Sequence, residues 1–61
     1  MKRNVLLKHL KENGCMLNRE GAKHSIYFNI DTNVKAVIPR HPDINEITII
    51  KICKQLGIPK I

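Results

Sequence analysis

Two short segments of this chain carry side chains able to do chemistry: Gly21-Ala22-Lys23-His24 and Ile38-Pro39-Arg40-His41-Pro42. An imidazole titrates near neutrality, so one ring can both take and give a proton. RNA supplies its own nucleophile, the 2′-hydroxyl. Strand scission then asks for a base, an acid and positive charge beside the phosphate, which a histidine among cations can provide. His24 is the candidate catalytic residue, because it follows a glycine turn, opens a strand and has Lys23 beside it. The candidate RNA-binding residues are Lys23, Arg19 and Lys35 on the flanking strands, and Arg40, whose planar fork suits phosphate.

A plainer reading stands next to each of these. A strand histidine is commonly structural, and the parity of His24 with Ile26 and Phe28 would turn it toward a core. His41, between two prolines, has the chemistry to brace its own loop, and His9, in the first helix, reads as a bystander. Tyr27 is either a base-stacking ring or a sheet residue. With Phe28 as the only other aromatic, the chain lacks a stacking platform.

Composition narrows the field. Eleven Lys and Arg face five Asp and Glu, a formal charge of +6 that favours a phosphate backbone as partner. The 61 residues make one domain, 1–61, near the size at which a single core barely suffices. Any chemistry must therefore occur on the surface. His9, His24 and His41 share no metal-ligand spacing, the acids Glu12, Glu20, Asp31, Asp43 and Glu46 are scattered, and no glycine-rich phosphate loop is present. No metal and no cofactor is expected. Cys15 and Cys53 read as reduced core residues, and Lys8, His9 and Lys11 interrupt the apolar run that a secretory segment would need after Met1-Lys2-Arg3. No membrane partner is expected, and residence is expected to be cytoplasmic.

The elements that must position these residues follow from periodicity. Val5, Leu6, Leu7 and Leu10 gather on one side of a helix from about Asn4 to Asn13, ended by Gly14. Cys15 to Arg19 fits a first strand. His24 to about Ile30 is a second, with Ile26, Phe28 and Ile30 alternating against Ser25, Tyr27 and Asn29, and Val34 to Ile38 is a third. Pro39 and Pro42 stop the sheet. From Asn45, a helix N-cap, the stripe Ile49, Ile52, Cys53 and Leu56 returns to helical period and closes at Gly57. The predicted fold is α+β: helix-strand-strand-strand-helix, with both helices on one face of a three-stranded antiparallel sheet and the other face open. Ile47 and Ile50 fall outside the buried stripe, which marks either a partner surface or a wide core face.

The ordered set of Gly14, Gly21-Ala22-Lys23-His24, Ile38-Pro39-Arg40-His41-Pro42 and Ile52-Cys53-Lys54-Gln55-Leu56-Gly57 resembles HicA, the toxin of the HicAB type II toxin–antitoxin systems, over nearly the whole chain. The resemblance implies a fold like the double-stranded-RNA-binding domain and a metal-independent endoribonuclease, an mRNA interferase. It also implies neutralisation by a HicB-type antitoxin that covers the active surface. The family's essential histidine carries over to His24. Its proline-arginine-histidine segment carries over to Pro39, Arg40 and His41, without catalytic roles assigned. Three positions depart from the family pattern: Ala22 for a common serine, Ile47 for a frequent glycine, and Asp31-Thr32-Asn33 without the usual turn glycine. The rival readings are a non-catalytic double-stranded-RNA-binding module and a structural subunit that engages a partner through Ile47 and Ile50.

Overall fold

The computed structural model describes all residues, 1–61. Helix α1 (Arg3–Glu12) is followed by strands β1 (Cys15–Glu20), β2 (His24–Asn29) and β3 (Lys35–Pro39), and then by helix α2 (Glu46–Leu56). The strands form one sheet in the order β1-β2-β3, antiparallel throughout. Both helices contribute to a single core with Cys15, Ala36 and Ile38, so they cover the same sheet face. The helix-strand-strand-strand-helix α+β layout expected from the sequence is the layout observed.

Local chemistry explains the element ends. Gly14, just past the α1 cap, has φ 79°, the left-handed region that side-chain-bearing residues avoid. The β2–β3 turn has no glycine, and Asn33 takes the left-handed position instead, with φ 63°. Asparagine tolerates that region best among the other residues. The Asn45 side chain accepts from the Ile47 amide, so it caps α2 as expected. Helix α1 has no side-chain cap at Lys2. Its entry is fixed instead by backbone pairing of residues 1–3 with residues 42–44, through Arg3 N–H to Pro42 (2.9 Å) and Ile44 N–H to Met1 (2.8 Å). That pairing buries Ile44, a core residue that its position in an irregular segment did not advertise.

The core holds Leu6 and Leu10 of α1 and Ile49, Ile52, Cys53 and Leu56 of α2, the stripe its period predicts. Val5 is a correction: it sits on the solvent side of α1, outside the apolar stripe. Ile47 (63% exposed) and Ile50 (46% exposed) are likewise outside the core, which removes the wide-core-face reading of α2.

Strand β2 departs from its expected orientation. Ser25 and Asn29 are the buried residues, Tyr27 packs between them against the core, and Ile26 and Phe28 lie on the open face. Cross-strand partners share a face, and the pairs Ser25–Ile38 and Tyr27–Ala36 set the inner side, while Ile26–Val37 and Phe28–Lys35 set the outer one. The inversion has a physical basis in side-chain partners. Asn29 donates from Nδ2 to the Leu56 carbonyl (2.8 Å) and accepts from the Asp31 amide (2.9 Å), so it ties the sheet to the end of α2 without an unpaired polar atom.

Candidate functional site

The β1–β2 turn is closed by Gly21, whose N–H donates to the His24 carbonyl at 2.7 Å. A Cβ at Gly21 would stand 3.2 Å from that same oxygen, so the close approach favours glycine. His24 pairs in register with Pro39, which brings the hairpin turn alongside the segment that leaves β3. Between them lies an open groove of about 370 Å³, lined by Ala22, Lys23, His24, Pro39, Arg40 and His41.

His24 is exposed, because it shares the outer parity of Ile26 and Phe28. The prospect that this parity would bury the ring is therefore overturned: the two apolar neighbours face outward with it. His9 is the one histidine engaged in the fold. Its Nε2 lies 2.6 Å from the Pro59 carbonyl and its Nδ1 3.4 Å from Asn13 Nδ2, so it anchors the C-terminal segment rather than standing idle. His24 and His41 are exposed, line the groove and make no side-chain hydrogen bond.

The sequence-predicted cations divide into three groups. Lys23 and Arg40 line the groove with His24. Arg19 does not line it, but a bulge in β1 between Leu17 and Arg19 aligns Arg19 with Ile26, which places it on the face that His24 occupies. Lys35 pairs with Phe28, four residues along β2 from His24, or about 13 Å at strand rise. Lys35 is thus at the far end of the sheet.

Beneath the groove runs a polar network that residue types alone did not reveal. Arg3 donates from Nε to the Pro39 carbonyl (2.9 Å) and from Nη2 to Ser25 Oγ (2.8 Å). Ser25 Oγ, fully buried, donates to Glu20 Oε1 (2.7 Å), and Glu20 Oε2 accepts from Arg40 Nη2 in an ion pair. The Ser25 hydrogen bond is the main influence holding the Glu20 carboxyl below the ordinary glutamate range; the Arg40 and Arg3 charges act the same way, against partial desolvation. The available signal was Ser25 itself. A polar side chain at an inward strand position must find partners.

No cluster of three or more His, Cys, Asp or Glu side chains is arranged to hold a metal ion. Burial pushes the Cys15 thiol up, with the neighbouring Cys53 adding to the effect, and burial alone does the same to Cys53. Both are free cysteines in the core, inert by location. No helix is long and apolar enough to cross a membrane.

A small basic α+β domain that presents an exposed histidine and cations at one end of an open sheet defines a class of protein whose candidate site is an open, cation-lined surface rather than an enclosed cavity. The family described as HicA toxin of bacterial toxin-antitoxin systems matches residues 4–58, and the chain belongs to that family. No curated protein and no solved structure gives a significant match. Membership in a toxin–antitoxin family makes the chain a toxin and implies an antitoxin partner.

Proposed function

We propose that this toxin is an endoribonuclease that cleaves mRNA in the cytoplasm with His24 as general acid and base. The observation that carries the reading is the exposed His24 ring in one groove with Lys23, Arg40 and His41. A histidine serving the core would be buried or hydrogen-bonded, as His9 is.

The chemistry follows from RNA. His24 accepts the 2′-hydroxyl proton as the oxygen attacks the adjacent phosphorus. The P–O2′ bond forms and the P–O5′ bond breaks, giving a 2′,3′-cyclic phosphate, and the departing 5′-oxygen takes a proton from an imidazolium, either His24 after transfer or His41. Lys23 and Arg40 neutralise the charge that builds on the phosphate oxygens. Arg19, on the same face, extends the positive track for the backbone, and Lys35 is too distant to serve the scissile phosphate and contacts RNA only farther along the strand. The scheme requires no metal.

A HicB-type antitoxin is the proposed partner. The family membership and the exposed Ile47 and Ile50 support it.

The test is cleavage of end-labelled mRNA by wild type and by His24→Ala, with and without EDTA. Wild type is expected to cut in both conditions and to leave cyclic phosphate ends, with His24→Ala inactive yet still bound to RNA. Full activity in His24→Ala removes the catalytic assignment. Binding with every strand uncut by wild type favours the non-catalytic RNA-binding module.

A further inference from the structure

We propose that Glu20 is a positioning residue for the groove: it holds the Arg40 guanidinium where the phosphate enters. The inference rests on the cleavage reading above and extends it to a residue of the wrong charge.

An acid at the edge of a polyanion site weakens binding by simple repulsion. Glu20 is half exposed beside Arg40, on a chain with only five acids against eleven Lys and Arg. Its two carboxylate oxygens do different things. Oε1 is anchored to Ser25, which is fully buried and itself held by Arg3, while Oε2 reaches outward to Arg40. The carboxylate therefore bridges the buried Ser25 hydroxyl and an exposed arginine.

Arg40 needs such a bridge. It follows Pro39, the last residue of β3 and the cross-strand partner of His24, so its backbone leaves an anchored strand end while its long side chain keeps its own rotamer freedom. A free arginine loses considerable rotamer freedom when it fixes a phosphate, and an arginine already held loses less. The ion pair with Glu20 uses Nη2. The guanidinium has five N–H donors, so Nε and Nη1 remain for a phosphate. The same network fixes the root of the wall that carries Arg40, since Arg3 also binds the carbonyl of Pro39, the residue paired with His24.

The β1 bulge is what makes this possible. It gives Arg19 the outer face and Glu20 the inner one, opposite Ser25. Were the same residues paired regularly past Leu17, Arg19 would fall opposite Ser25 and Glu20 opposite His24, on the open face and without an interior anchor.

The experiment is a double-mutant cycle on kcat and KM for a short labelled RNA, with wild type, Glu20→Gln, Arg40→Ala and the double variant. Gln keeps one acceptor oxygen for Ser25 but cannot bridge to Arg40 as a carboxylate does. Glu20→Gln is expected to lower kcat about tenfold to a hundredfold, in line with misplacement of a binding group, with KM unchanged or lower because a repelling charge is gone. In the Arg40→Ala background the same change is expected to cost nothing further. Losses that multiply independently, or an unchanged kcat in Glu20→Gln, overturn the proposal. Should Glu20→Gln fail to fold, Glu20→Asp reads the same coupling, since its shorter arm cannot span from Ser25 to Arg40. If wild type leaves RNA uncut, or His24→Ala cuts as well as wild type, the cleavage reading falls and takes this inference with it. If His24 is required and only the Glu20–Arg40 coupling is missing, this inference alone falls.

Discussion

Arg3, in the first turn of α1, donates from Nε to the carbonyl oxygen of Pro39 at 2.9 Å, and Pro39 is the cross-strand partner of His24. The helix on the covered side of the sheet thereby fixes the strand end that shapes the open side. Its second donor enters the fully buried Ser25 hydroxyl, so one side chain satisfies both the sheet interior and the groove wall.

Replacing that arginine separates charge from support. Arg3→Met keeps the apolar stem and removes both donors, leaving the buried Ser25 with one partner fewer. A loss of about 1–3 kcal/mol is expected, from a total of about 3–9 kcal/mol for a chain of this length. Urea denaturation followed by circular dichroism measures it. An unchanged midpoint would show that the network contributes nothing to the fold.

Glu20 predicts the acid limb of the stability curve. Its carboxyl is more acidic in the folded chain than in the unfolded one, chiefly because the Ser25 hydroxyl donates to it, with Arg40 and Arg3 adding to the effect. Its contribution is complete above the unfolded value of about 4.3 and is lost as pH falls through the lower folded value. Wild type is therefore expected to lose stability below about pH 4.3 more steeply than Glu20→Gln. Parallel curves in thermal melts from pH 6 to pH 2 would contradict this origin.

The exposed isoleucines of α2 predict a selective loss. Ile47→Lys with Ile50→Lys removes apolar surface that the core does not use, so stability should change by about 0.5 kcal/mol or less per site. RNA cleavage should persist, and affinity for the antitoxin should fall. Retained affinity in titration calorimetry would place the partner elsewhere.

The cysteines predict silence. Cys15 and Cys53 are buried with thiols pushed toward the protonated form, so alkylation by iodoacetamide at pH 8 should be slow in the native protein and fast in urea. Rapid native labelling would mean that the core opens easily at β1 or α2.

Much of this architecture was legible because it is local. The α2 stripe of Ile49, Ile52, Cys53 and Leu56, the Asn45 cap and the terminal Gly57 each depend on residues within a few positions of one another. Strand β2 was not legible in the same way. Its alternation of Ile26, Phe28 and Ile30 suggested the inner face, yet that face holds Ser25, Tyr27 and Asn29. Alternation separates the two sides of a strand, but it picks the buried one only when polar groups have no partners inside. What chose between them was the supply of partners for Ser25 and Asn29, from Arg3, Glu20 and the Leu56 carbonyl.

The order of the elements, the basic charge and the identity of His24 as the residue to watch were set by the sequence itself, through periods and turn chemistry that act over short spans. Tertiary structure alone decided that His24 faces solvent, that Lys23 and Arg40 share its groove while Lys35 lies far away, and that Glu20 grips Arg40. Those outcomes depend on strand register, a single bulge and hydrogen bonds between residues up to 36 positions apart, and no local pattern encodes them.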